Sequence, residues 1–305
     1  MRRIAAALCL AAALPLAAQQ PDWSKVEVKA QKLGEGVWMI SGAGGNIGLS
    51  AGPDGAFLID DQYAPLTDKI VAAVKSVTDQ PIRFVLNTHY HPDHTGGNEN
   101  LGKAGGIIVA HENVRKRMTM DWFNETFQSP MKPSPPAALP VVTFSESVTF
   151  HWNGEEIRVQ HMPPSHTDGD SVVYFPKANV LHTGDVVFYG LYPVIDYAAG
   201  GTIDGIVAVC DRLLGMIDEK TKVIPGHGPL IDKSGVKEYR DMLATVRDRV
   251  KPMVAAGKSI DEVRAAKPTA DFDAKWGGGY YKPDAWVAVV YGSLGGKLPK
   301  PTPAP

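Results

Sequence analysis

The chain has 305 residues, 44% of them hydrophobic and 21% charged, the balance of a soluble globular protein with one large domain or two small ones. A formal net charge of −2 gives no electrostatic reason to expect nucleic acid or an anionic membrane surface as a partner. The partner this composition suits is a small-molecule substrate; oligomeric state is left open.

The N-terminus reads as a secretory signal over residues 1–18. Met1-Arg2-Arg3 is a basic start, an apolar Ala-rich run follows to Leu14, and Leu16-Ala17-Ala18 precedes the polar Gln19. The apolar run is too short for a permanent membrane span. The expected location is therefore periplasmic or secreted, with no membrane association after cleavage. Removal of the signal takes Cys9 with it and leaves Cys210 alone, so no intrachain disulfide forms. Cys210 lies in an apolar helical stretch and reads as a packed core residue.

Beyond the signal, residues 26–28, 37–40, 46–50 and 56–60 read as short strands separated by turns such as Gly52-Pro53-Asp54-Gly55. Leu66, Ile70, Val74 and Val77 recur at helical spacing. The apolar run 82–86 reads as a buried strand, 107–110 as another, and a polar helix starts near Glu112. Residues 121–140 hold Trp122, Phe123, Phe127 and five prolines, and read as a long connection, either a lid or a surface insertion, rather than a packed element. Further strands are expected at 141–144, 147–152, 156–161, 171–175, 180–182 and 222–224. Helices are expected around Ile203 to Leu214 and Val236 to Val254, at the Ser259/Glu262 capping box, and from Pro283 to Val290. Residues 22–297 make one domain, and the Pro-rich stretch 298–305 reads as a disordered tail. Two halves, each with strands followed by helices, point to an α/β protein with two sheets packed face to face and helices outside.

The chemistry concentrates in His89-Tyr90-His91-Pro92-Asp93-His94. His89 and His91 are two apart and share one side of an extended segment. Asp93 and His94 are adjacent and diverge, so the spacing suits two cations side by side better than one. Pro92 opposes a helix here, and Gly96-Gly97 then turns the backbone close to the metals. His166, Asp185 and His227 are the other candidates, the last two after strand-like runs. Imidazole and carboxylate ligands suit zinc, iron or manganese. Of the remaining histidines, His182 is three residues from Asp185 and is either a support for the ligands or a packed strand residue. His111, His151 and His161 read as structural or exposed. Asp168 and Asp170 either orient ligands or begin the next strand.

With these residues in place the chain resembles the metallo-β-lactamase superfamily. His89, His91, Asp93 and His94 match its HxHxDH motif, and His166, Asp185 and His227 follow in the order of its later ligand motifs, across roughly residues 34–232. The resemblance implies an αββα four-layer sandwich. It implies that His89, His91 and His166 bind one metal, that Asp93, His94 and His227 bind the other, and that Asp185 bridges them as in glyoxalase II-like members. The implied cofactor is two Zn²⁺, with Fe or Mn as alternatives. The implied activity is that of a dinuclear metal-dependent hydrolase whose metal-bridged hydroxide attacks a carbonyl-type bond: an ester, lactone, thioester or lactam. Asp93 is the expected catalytic residue, binding its metal and orienting the hydroxide.

The walls of the cleft are expected at 41–50, 121–140 and 187–201, with Tyr189, Tyr192 and Tyr197 as candidate substrate contacts. Zinc β-lactamases usually carry Cys or Ser at the Asp185 position, often with a Lys soon after the Cys. This chain has Val186-Val187-Phe188-Tyr189 there, which weighs against a β-lactam substrate, whereas export weighs for one. A secreted β-lactamase is thus one alternative. Others are a non-hydrolytic di-iron redox protein on the same fold, disfavoured by the retained His94 and by the lack of room for a flavin domain, and a metal-binding module without catalysis.

Overall fold

The computed structural model describes residues 21–298, so the expected signal at 1–18 and all but the first residue of the tail lie outside the described residues. Fourteen strands are present among the described residues. In chain order they are β1 (Lys29–Gly34), β2 (Val37–Ser41), β3 (Ile47–Ser50), β4 (Ala56–Ile59), β5 (Ile82–Asn87), β6 (Ile107–His111), β7 (Trp122–Asn124), β8 (Ser129–Met131), β9 (Val142–Phe144), β10 (Ser147–Trp152), β11 (Glu155–His161), β12 (Ser171–Phe175), β13 (Val180–His182) and β14 (Lys222–Ile224). The α-helices are α1 (Thr67–Lys75), α2 (Pro92–Thr95), α3 (Asn98–Lys103), α4 (Glu112–Thr119), α5 (Ile203–Met216), α6 (Lys233–Ala255), α7 (Ile260–Ala265), α8 (Asp273–Trp276) and α9 (Pro283–Ser293).

Seven strands form one sheet in the order β1-β2-β3-β4-β5-β6-β9, antiparallel as far as β4 and parallel from β4 to β9. Five form a second sheet, β10-β11-β12-β13-β14, in which only the last pair is parallel. Alternation along the strands then decides the layering. Phe57, Ile59, Leu86 and Val109 of the first sheet meet Ile157, Val159, Val173, Phe175, Val180 and Ile224 of the second in one core. Their neighbours Leu58, Val85 and Ile108 point the other way and pack under Ile70 and Val74 of α1 and Leu101 of α3. Val172, Leu181 and Val223 pack outward against α5, α6 and α9. The result is the expected four-layer αββα sandwich, and strands buried on both faces explain why β4 and β5 read as continuous apolar runs.

Several expectations need correction. The first strand begins at Lys29, and residues 26–28 are not in regular structure. Pro92 does not block a helix. It starts α2, with His91 as the extended N-cap, because at the first helical position the missing N–H costs nothing. Residues 121–140 do contain packed structure, the β7–β8 hairpin and a 3-10 turn at Pro136–Ala138. The Ser259/Glu262 capping box is formed, and Cys210 is a fully buried free thiol on α5, its ionisation pushed up by burial. Among the described residues no helix is long and apolar enough to cross a membrane.

Candidate metal centre

The seven predicted residues come together at one edge of the sandwich, because all four segments that carry them leave the C-terminal ends of strands. His89 to His94 follow β5, His166 lies in the turn after β11, Asp185 sits in the 3-10 turn Gly184–Val186 after β13, and His227 follows β14. Their ligand atoms fall into two groups, His89, His91, His166 and Asp185 in one, and Asp93, His94 and His227 in the other. Asp185 joins the groups: its carboxylate is 3.6 Å from His89 Nε2, 3.5 Å from His166 Nε2, 3.0 Å from His94 Nε2 and 3.4 Å from His227 Nε2.

Each of four imidazoles is aimed by a bond to its outward nitrogen. His166 Nδ1 donates to the Val194 carbonyl at 2.8 Å, His94 Nδ1 to Asp60 Oδ2 at 2.7 Å and His91 Nε2 to Asp196 Oδ2 at 3.0 Å, while His89 Nδ1 lies 3.1 Å from Thr88 Oγ1. With those nitrogens committed, neutral rings turn lone pairs toward one another across 2.8 Å between His166 Nε2 and His91 Nδ1, and 3.0 Å between His89 Nε2 and His91 Nδ1. Facing lone pairs repel, and a cation between them removes the repulsion. Asp185 Oδ1 is likewise buried with no hydrogen-bond donor. This donor set fits divalent metal ions.

The remaining charges agree. At His227, burial depresses protonation, but Asp185 and Asp93 outweigh it and raise the pKa to about 9. At Asp185 burial also opposes ionisation, yet the surrounding His94, His227 and His89 hold the carboxyl well below its usual range. His89 is driven well below its ordinary value, by burial first and then by His94. The pocket therefore holds two ionised carboxylates that call for positive charge, supplied either by protons on His94 and His227 or by cations. Around it the carboxylates Asp60, Asp93, Asp185 and Asp196 form ion pairs only with imidazoles, none with Lys or Arg, among the described residues.

Close backbone approach holds the two sheets' loops together. Asn46 donates from its side chain to the carbonyls of Pro225 and Gly228 at 2.8 and 2.9 Å, stitching the 42–46 loop to the turn carrying His227. A Cβ at Gly45 would overlap the His94 ring, and one at Gly226 would overlap Asp185 Oδ1. Gly96 and Gly97 are also tightly packed, but against the backbone of Asp61 and Gln62, not against the metal ligands as the sequence reading had it.

Residues outside the ligand set sort differently from expectation in places. Asp170 positions a cluster residue: its carboxylate accepts from the amides of His166 and Thr167 at 2.7 and 2.9 Å and so builds the turn that presents His166. Asp168 pairs with Arg117 at 2.6 Å and takes no part in the cluster. His182 uses both nitrogens on backbone, donating to Asn46 O at 3.0 Å and accepting from Gly184 N at 3.1 Å, so it supports the turn that bears Asp185. His111 and His161 stack at 3.7 Å and are structural, and His151 is exposed. The three tyrosines proposed as substrate contacts are occupied elsewhere. Tyr189 donates to Glu238 at 2.6 Å, Tyr192 to Asp273 at 2.8 Å, and Tyr197 to the Glu125 carbonyl at 3.3 Å. The aromatic groups that do flank the cluster include Phe188, stacked on His227 at 4.7 Å, Tyr90 and Phe127, at 4.5 and 5.2 Å from His91, and Tyr63, whose hydroxyl is pushed up to about 12 by burial and by Asp93 and Asp185.

Sequence reading missed Asp60 and Asp196. Asp60 follows β4 directly, with φ 65°, a left-handed conformation costly for a non-glycine residue. Its carboxylate repays that strain by accepting from Thr88 N and Oγ1 at 2.7 and 2.8 Å as well as from His94. The acidic pair Asp60-Asp61 at the end of an apolar run, next to the strand that leads into the histidines, was the available signal. Asp196 lies in a loop with no such marker.

Residues 41–249 match the sequence profile described as the Metallo-beta-lactamase superfamily, and the chain belongs to that superfamily. Among individual relatives, the chain is 23% identical over 253 residues to a linear primary-alkylsulfatase of a Pseudomonas species, covering 69% of this chain and 47% of the relative. It is 27% identical over 211 residues to a hydroxyacylglutathione hydrolase of Rhodospirillum rubrum, covering 67% of this chain and 68% of that one. The solved metallo-beta-lactamase from Pontibacter korlensis superposes with a TM-score of 0.58 at 23% identity, over 71% of this chain and 99% of that one, a likeness that concerns the fold. The chain thus spans about half the length of the alkylsulfatase.

Proposed function

We propose that the protein is a dinuclear metal-dependent hydrolase acting on a carbonyl-type bond of a small molecule: an ester, lactone, thioester or lactam. The observation that carries this reading is the convergence of seven ligand groups, three of them aimed from outside by Asp60, Asp196 and Val194, with the inward nitrogens of His89, His91 and His166 facing one another. His89, His91 and His166 would hold one cation, Asp93, His94 and His227 the other, with Asp185 between them. Two Zn²⁺ ions suit this nitrogen and carboxylate set, as do Fe or Mn. Bound there, the pair of cations supplies Lewis acidity and lowers the pKa of water.

The protein's own groups supply orientation. Asp93 is the more open of the two cluster carboxylates, its side chain 19% exposed against 3% for Asp185. It would orient the attacking oxygen. Phe188 against His227, Phe127 against His91 and Tyr63 near Asp93 put apolar surface beside the cluster, which strengthens electrostatic interactions there by excluding water. With Asp185 in the bridging position, we assign esters, lactones and thioesters ahead of β-lactams. The mature protein acts in the periplasm or outside the cell, on a small molecule and without nucleic acid or membrane as partner, as the N-terminal segment and the near-neutral charge suggest.

A panel of esters, lactones, thioesters, phosphodiesters and a chromogenic cephalosporin, assayed with purified protein before and after chelation, tests the assignment. The expected result is chelator-sensitive turnover of at least one non-lactam carbonyl substrate. Turnover confined to phosphodiesters, or unaffected by complete metal removal, contradicts it.

A further inference from the structure

A buried asparagine, Asn124, ties the β7–β8 hairpin to the residues that hold His91. Asn124 is fully buried, and all four of its side-chain hydrogen-bonding positions are used. Its Nδ2 donates to Asp196 Oδ2 and to Tyr90 Oη, both at 2.9 Å. Its Oδ1 accepts from the amides of Thr126 and Phe127 at 2.8 and 3.2 Å, which shapes the hairpin turn and brings the Phe127 ring against His91. Asp196 Oδ2 is the same oxygen that accepts from His91 Nε2, and the Tyr90 hydroxyl donates to it as well. Burial opposes ionisation of Asp196, but the bonds from His91 and Tyr90 hold it as a carboxylate, well below its ordinary pKa. On the far side, Thr126 Oγ1 accepts from Ala198 N at 3.0 Å and Tyr197 donates to Glu125 O, so the hairpin is stapled to the same 196–199 turn.

We propose that Asn124 and Asp196 are positioning residues that couple docking of the Trp122–Met131 hairpin over the cleft to cation binding at the His89/His91/His166/Asp185 group. His91 reaches that group through Nδ1 only if its Nε2 is held outward, and Asp196 holds it. Asp196 is itself held by Asn124, which belongs to the hairpin. A docked hairpin therefore fixes the ligand ring, and a cation on Nδ1 strengthens the Nε2–H as a donor to Asp196 and so steadies the carboxylate on which Asn124 rests. Such coupling is reciprocal: whatever factor hairpin docking adds to cation affinity, the cation adds to docking. The inference rests on the metal-binding part of the proposed function.

The test uses the full chain, stripped of metal and titrated with Zn²⁺ alone in competition with a chromophoric chelator. Hydrogen exchange of the 122–131 amides is followed in parallel. In the wild type, Zn²⁺ should slow exchange in the hairpin. Asn124→Ala, which removes no ligand and no direct partner of a ligand, should weaken one of the two Zn²⁺ equivalents by about tenfold and leave the other unchanged. It should also abolish the Zn²⁺-dependent slowing. Asp196→Asn, nearly isosteric, should weaken the same equivalent at least as much, and Thr126→Val, which loosens the staple while sparing Asn124, should weaken it less. Any one of these variants that folds suffices to decide. If they bind both equivalents like the wild type, or if hairpin exchange in the wild type ignores Zn²⁺, the coupling is refuted while the metal centre stands. If the wild type binds no Zn²⁺, the metal reading and this inference both fail.

Discussion

Replacing Gly45 by alanine is a small change that should empty half of the metal centre. The added methyl would lie 2.7 Å from His94 Nδ1 and nearer still to Cε1 and Nε2, where ordinary contact begins at 3.4 Å. The ring has no free space to move into and is held by Asp60 at Nδ1, 2.7 Å away, so any displacement is strained. Nor does the backbone yield easily, since Gly45 N donates to Asp93 O at 3.1 Å and Asn46 pins the loop to the His227 turn. His94 must therefore retreat by roughly an ångström, at a cost of about 1–3 kcal/mol in overpacking, and a displacement of that size from productive geometry costs about a hundredfold in rate. We expect Gly45→Ala to keep one cation of two after gel filtration, to unfold at lower denaturant, and to lose most of its activity. Gly215→Ala on α5, where a Cβ meets nothing within 4 Å, is the control and should match or exceed wild-type stability. A Gly45→Ala protein that retains two cations at wild-type affinity would refute the close packing argued for His94.

Further expectations follow from the same contacts. Asp60→Asn places an amide where three donors converge on the carboxylate, and should cost about 1–3 kcal/mol in stability and about 10–100-fold in affinity for the cation bound by His94, measured by urea unfolding and chelator competition. In the metal-stripped protein the raised pKa of His227 means that its ion pairs stabilise the fold fully below pH 6.5 and are lost as pH rises through about 9. The urea midpoint of the stripped protein should therefore fall across that window while that of the loaded protein does not, and parallel profiles would count against the assignment. Trp286 stacks on Tyr192 at 4.2 Å and donates to the Pro193 carbonyl at 2.8 Å, one residue from the carbonyl that holds His166. Trp286→Phe leaves that buried carbonyl without its donor and should cost about 1–3 kcal/mol by denaturant unfolding; an unchanged midpoint would show that the contact carries little.

The seven clustered residues were legible because they are local or sit at strand ends. Four of the seven lie within six residues, and Asp185 and His227 each end an apolar run, so their chemistry and placement could be read together. The layers were legible for a similar reason, since Phe57, Leu58 and Ile59 alternate between two cores and leave an apolar run in the sequence. What was hidden depends on partners far along the chain. Asn124 gains its meaning from Tyr90 and Asp196, which lie 34 and 72 residues away, and the surrounding prolines and aromatics suggested only a loose connection. Asp60 and Asp196 look like any loop acids until the fold carries them to His94 and His91. Conversely, Tyr189, Tyr192 and Tyr197 stood in a cleft-forming segment, and a segment does not say which way a ring turns. The proline of the histidine motif misled because its effect depends on position: inside a helix it breaks the ladder, whereas at the first turn it starts one.

The most direct test is a titration of the stripped chain with Zn²⁺ in which bound metal and hydrolysis of the best carbonyl substrate are recorded on the same samples. Hydrolysis should stay low through the first equivalent, rise with the second, and plateau at two per chain, with Asp185→Ala binding fewer ions and showing no rise. Full activity at one equivalent, or in the stripped protein, would contradict the paired-cation account.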